Sequence, residues 1–93
     1  MNAELILNER RTISEIAFVE LVVWRLPGPL SGSRHRFKYR LALVVNGYCV
    51  LRYDNETGKG DHRHIGQEQF PYQFTTPKAL LDDFWHDVDI WRY

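Results

Sequence analysis

Cys49 is the chain's only cysteine, so no intrachain disulfide can form, and a reducing cytoplasm suits a protein that folds without one. Set in an apolar strand pattern, that thiol is expected to be buried. Long apolar runs are missing too. The longest are Leu21 to Trp24 and Leu41 to Val45, far short of the ~18 residues of a membrane span. The first residues carry no charged start followed by an apolar signal core. A soluble, unexported cytoplasmic protein with no membrane contact is the expectation. Net charge is absent as well, because twelve Lys and Arg meet twelve Asp and Glu. Low-complexity tracts and internal repeats are also missing, and nothing in the composition marks a linker. Ninety-three residues sustain one modest core, so residues 1–93 are read as a single domain.

What the chain does have is an apolar share of 44% and an aromatic share of 14%, enough to exclude a disordered chain. Its charges are unevenly spread: from Arg34 to His64 seven Arg or Lys face three Asp or Glu, and the segments on either side are acidic. Ala3 to Asn8 reads as a short edge strand, followed by a polar break over Asn8 to Arg11. Ile13 to Arg25 is rich in β-branched and aromatic residues and nearly apolar on both faces, which suits a central strand. Glu20 is the charge in that run, and Arg52 is its expected ion-pair partner. Leu26 to Ser33 holds two prolines, two glycines and two serines and is a loop. Arg34 to Val45 alternates with period two, placing Arg34, Arg36, Lys38 and Arg40 on one face as a basic ladder. Asn46-Gly47 signals a type I′ hairpin, so Val45 is expected opposite Tyr48, Leu43 opposite Val50, Leu41 opposite Arg52 and Tyr39 opposite Asp54. Asp61 to Ile65 fits a short strand, and Phe70 to Phe74 an aromatic connector or edge strand. Thr76-Pro77 supplies an N-cap and a first-turn proline. The helix that follows carries Leu80, Leu81, Phe84, Trp85, Val88 and Trp91 on one face and Asp82, Asp83, His86 and Asp87 on the other. The class is α+β: an antiparallel sheet of four to five strands with one C-terminal helix packed on it.

The chemistry-bearing residues gather in Tyr53 to Gly66, where ionisable side chains replace the apolar pattern. Lys59 stands between two glycines, Asp61 follows, and His62 and His64 flank Arg63. On a strand, His62 and His64 share a face. Three readings compete. In the first, the histidines cleave RNA without metal by general acid and base catalysis, aided by Asp61, with Lys59 or Arg63 holding the phosphate. Histidine titrates near neutrality without much tuning. In the second, His62 and His64 bind a metal with Asp61 or Asp54 as third ligand, but two-residue spacing alone is weak. In the third, Asp61 and Asn55 tie a turn together and the histidines only hydrogen-bond. The first is the reading adopted, with no metal and no cofactor. Arg34, Arg36, Lys38 and Arg40 then form a stripe for nucleic acid, with Phe37, Tyr39 and Tyr53 as stacking surfaces. The stripe used only for binding, to nucleic acid or protein, is the non-enzymatic alternative. Trp91 and Tyr93 offer a surface for a partner chain, a second copy in a homodimer included.

The run His35-Arg36-Phe37-Lys38-Tyr39-Arg40-Leu41, then Tyr53-Asp54-Asn55 and Gly58-Lys59-Gly60-Asp61-His62-Arg63-His64, resembles the TumE-like toxins of bacteria and archaea. The resemblance extends from Leu5 to about Val88. It implies the toxin component of a type II toxin–antitoxin pair, a helix-turn-helix antitoxin as operon partner, and an activity against RNA or translation. It assigns no catalytic residue.

Overall fold

A computed structural model describes residues 2–91; Tyr93 of the expected partner surface lies outside them. Six strands, β1 (Glu4–Thr12), β2 (Ala17–Arg25), β3 (Phe37–Val45), β4 (Tyr48–Glu56), β5 (Gly60–Ile65) and β6 (Glu68–Pro71), are followed by α1 (Pro77–Ile90). They form one sheet in the order β1-β2-β3-β4-β5-β6, every neighbour antiparallel. The α+β class with one C-terminal helix holds, but the sheet has six strands where the sequence pointed to four to five. The segments that blur the count are Asp61 to Ile65 and Phe70 to Phe74. β5 is polar for most of its length and β6 is exposed along its length, so their backbone ladders define them more than their side chains do. β1 extends the expected edge strand straight through the polar residues Asn8 to Arg11. Among the described residues, no helix is long and apolar enough to cross a membrane.

One face of the sheet makes the core. Val19, Leu21, Tyr39, Leu41, Leu43, Leu51 and Tyr53 are buried beneath Leu80, Phe84 and Val88 of α1, which packs over β3 and β4. Thr76 caps the helix, its side chain accepting from the Ala79 N–H at 3.1 Å, and Pro77 opens the first turn. The opposite face has no helix over it. Phe18, Val22 and Trp24 of β2 are therefore only half-buried there.

The Asn46-Gly47 turn has positive φ at both residues, 51° and 81°, as a type I′ turn requires. The expected register nevertheless fails after two pairs. Val45 opposes Tyr48 and Val44 opposes Cys49, but Leu43 then opposes Leu51, so Val50 is the extra residue of a β-bulge. Every later pair is displaced by one: Ala42 faces Arg52, Leu41 faces Tyr53 and Arg40 faces Asp54. The displacement reconciles two patterns. Leu51 and Tyr53 join Leu41 and Leu43 in the core, and Arg52 and Asp54 turn to the uncovered face. Cys49, expected to be buried, is exposed beside the bulge.

Three tyrosine hydroxyls bond to carboxylates at the core edge. Tyr53 donates to Asp87 at 2.5 Å, Tyr72 to Asp83 at 2.5 Å and Tyr39 to Asp61 at 2.6 Å. Asp87, expected on the solvent side of the helix, is therefore buried. Burial first, then the neighbouring carboxylate, pushes all three phenols well above their ordinary value of 10.0. A raised phenol pKa means that the folded state holds the proton more tightly than the unfolded chain. Its stabilisation is complete below pH ~10 and is lost as the pH climbs further. The urea midpoint is expected to be level from pH 7 to 9 and to fall steeply above about 10. A midpoint unchanged at pH 11 would contradict these three bonds.

Candidate active site

Alternation along β5 divides the residues that the sequence had grouped. Tyr53 opposes Arg63 and Asn55 opposes Asp61, so Asp61 and Arg63 point to the helix-covered side. Asp54 opposes His62 and Arg52 opposes His64, so both histidines point to the uncovered face. Asp61 therefore cannot orient His62 or His64.

On the covered side Asp61 ties segments together. Its carboxylate accepts from the Ser33 hydroxyl at 2.9 Å, from His35 Nε2 at 2.7 Å and from the Tyr39 hydroxyl. The Phe37 N–H donates to His35 Nδ1 at 3.1 Å, which leaves the ring proton on Nε2 for Asp61. Phe74 stacks on this imidazole at 3.9 Å. Asn55, buried, completes the joint by accepting from the Tyr39 N–H at 3.0 Å and donating to the Phe37 carbonyl at 2.7 Å. The glycine-rich loop docks here, with the Gly58 N–H donating to the Ser31 carbonyl at 2.6 Å. A Cβ on Gly32, whose φ is +89°, would come within 2.9 Å of the Gly58 backbone. Arg63 is also committed on this side, its Nε 2.9 Å from Asp87 Oδ2. Asp61 and Asn55 thus tie β5 and β4 to β3 and the loop before it, whereas the structural reading of this stretch expected them to tie the turn between them.

The uncovered face holds a cleft of about 170 Å³ lined by Arg52, Asp54, Glu56, Lys59, His62, His64 and Gln69. Two cross-strand rows build it: Val22, Arg40, Asp54 and His62 in one, Glu20, Ala42, Arg52, His64 and Gln69 in the next. The two imidazole centroids are 6.3 Å apart. His64 Nε2 lies 3.3 Å from Arg52 Nη2 and 3.4 Å from Asp54 Oδ1. A neutral His64 can therefore accept from Arg52, and a protonated one can pair with Asp54. Arg52 Nε is also 3.0 Å from Asp54 Oδ2, close enough for charge attraction without hydrogen-bond alignment. Arg52 thus turns to Asp54, and no ion pair joins it to Glu20 among the described residues. At the rim Lys59 pairs with Glu56 at 3.1 Å, which holds the Glu56 carboxyl below its ordinary range through that hydrogen bond.

Of the basic ladder, Lys38 and Arg40 stand exposed on this face, whereas Arg34 and Arg36 precede β3 and lie in the loop. Tyr39 and Tyr53, expected to stack on a ligand, are in the core, so neither reaches the cleft. Arg52 and Asp54 are the residues that sequence reasoning misplaced. The sign was present, because Leu51-Arg52-Tyr53-Asp54 alternates apolar and polar in a phase that conflicts with an unbroken hairpin register. Among the described residues, no three His, Cys, Asp or Glu side chains converge as a metal-holding group.

A family model described as toxin TumE matches residues 3–92. No curated protein and no solved structure matches the chain significantly.

Proposed function

Because the chain belongs to the toxin TumE family, we propose that its toxic act is the metal-independent cleavage of RNA in the His62–His64 cleft. The observation that carries this reading is the pairing of two imidazoles, 6.3 Å apart, on an uncovered sheet face with Arg52 and Lys59 in the same cleft. His62 accepts the proton of a ribose 2′-hydroxyl as its oxygen forms a bond to phosphorus. The bond from phosphorus to the 5′-oxygen breaks, and the imidazolium of His64 gives that oxygen its proton. Arg52 and Lys59 balance the charge on the phosphorane. In-line attack puts the entering and leaving oxygens on opposite sides of phosphorus, so two separated proton carriers suit it better than one.

Asp61 and Arg63 support the fold in this reading. Lys38 and Arg40 attract the substrate, and Arg34 and Arg36 extend that field from the loop. A helix-turn-helix antitoxin encoded alongside neutralises the toxin, in the manner of a type II pair. The test is expression of the wild-type protein and of His62→Ala and His64→Ala in a host lacking the antitoxin. Growth arrest with RNA loss is expected from the wild type alone. Arrest by both folded variants would contradict the assignment. Arrest without RNA loss would favour the non-enzymatic reading, in which Arg34, Arg36, Lys38 and Arg40 serve binding only.

A further inference from the structure

Across the uncovered face from the histidines stands a residue that the proposed reaction does not use. Trp24, on β2, is half-buried and lies directly opposite Lys38 of β3. The other aromatic residue of β2 on this face, Phe18, is covered by the Arg10 guanidinium at 3.8 Å. Trp24 has no such cover among the described residues. Between it and the cleft stand Lys38 and Arg40, both exposed, and neither enters an ion pair among the described residues. From Trp24 on β2 to His62 on β5 is three strand spacings and one cross-strand row, roughly 15 Å. That is the length of a few nucleotides.

We infer that this face is a track for single-stranded RNA, with a base stacked on Trp24 and the intervening phosphates on Lys38 and Arg40. This rests on the RNA reading of the cleft and adds to it the form of the substrate. An indole takes a base whose face is free, which a single strand offers and a duplex interior does not. Although Asp54 faces Arg40 in register, neither Lys38 nor Arg40 is closed into an ion pair among the described residues, so a polyanion complements their exposed positive charge. A single strand can also turn its 2′-hydroxyl into line with the scissile bond, a geometry that A-form pairing holds away.

The test is kept independent of turnover. Fluorescence anisotropy is measured with a labelled RNA dodecamer, single-stranded or annealed to its complement, on the His62→Ala/His64→Ala double variant in chelator. The single strand is expected to bind at least tenfold more tightly than the duplex. Adding Trp24→Ala is expected to weaken single-strand binding about tenfold, and Trp24→Phe to restore most of the loss. Adding Lys38→Gln and Arg40→Gln is expected to flatten the dependence of affinity on salt. Circular dichroism of each variant ensures that a folded protein is compared. Equal affinity for both forms, or a folded Trp24→Ala variant that binds as before, would overturn the track. RNA binding that follows these expectations, beside a wild-type protein that cleaves nothing, would remove the reaction and keep the track. An acidic peptide that displaces no RNA excludes an acidic protein as the occupant, whereas one that binds Trp24-dependently in place of RNA overturns the inference.

Discussion

Alanine at His62 or at His64 is expected to lower the rate of the proposed RNA cleavage by roughly 10²–10⁴-fold, with the urea midpoint little changed. The rate loss follows from the roles proposed for the two imidazoles in one displacement. Each is needed in the same transition state, so the double variant is expected to be scarcely slower than either single one. The small effect on stability follows from position. Both histidines lie on the uncovered face, half-buried, and removal of His64 leaves the Arg52–Asp54 pair in place. A stability cost within about 1 kcal/mol is expected for either replacement. Single-turnover rates and urea titrations of the three variants check both halves. Wild-type rates in a folded single variant would sink the roles assigned here.

Asp61→Ala has the opposite profile, a loss of roughly 2–5 kcal/mol of stability. Three donors meet on this carboxylate, from Ser33, His35 and Tyr39. Alanine leaves the buried Tyr39 hydroxyl and the His35 Nε2–H without their acceptor. It also frees the glycine-rich loop from β5, so the turn bearing Lys59 loses its support on that side. Ser33→Ala removes one half-buried donor and keeps the acceptor, and it is expected to cost no more than about 1 kcal/mol. The ratio between the two variants is the informative quantity, and urea denaturation measures it. Equal and small costs would mean that Asp61 does not tie the segments together.

How far this molecule can be read from its sequence depends on how local the cause of each feature is. The Asn46-Gly47 turn, the Thr76-Pro77 helix start and the shared face of His62 and His64 are set by a few adjacent residues, and all three appear as read. The bulge at Val50 is different, because it is decided by competition between two patterns. The turn fixes one register, and the burial of Leu51 and Tyr53 demands another. Core burial prevails by ejecting one residue, and with it Arg52 and Asp54 change faces. The position of Asp61 was equally hidden. Its neighbours in sequence are His62 and Gly60, yet its partners are 22 to 28 residues away, brought there by a loop with no periodic signal. Asp87 went astray for a related reason. Helical spacing placed it with Asp83 on the polar side, whereas Tyr53 and Arg63 supply partners that only the tertiary fold provides.

The central claim is that the cleft cleaves RNA by transfer of phosphorus to the neighbouring 2′-oxygen, and the ends of the products report on it most directly. Purified protein is incubated with a single-stranded RNA in excess chelator, and the fragments are analysed by mass spectrometry. Fragments ending in 2′,3′-cyclic phosphate and beginning with 5′-hydroxyl are expected from the wild type and lost in His62→Ala and His64→Ala. Fragments ending in 3′-hydroxyl and beginning with 5′-phosphate, or intact RNA after exposure to a folded, growth-arresting protein, would contradict that claim.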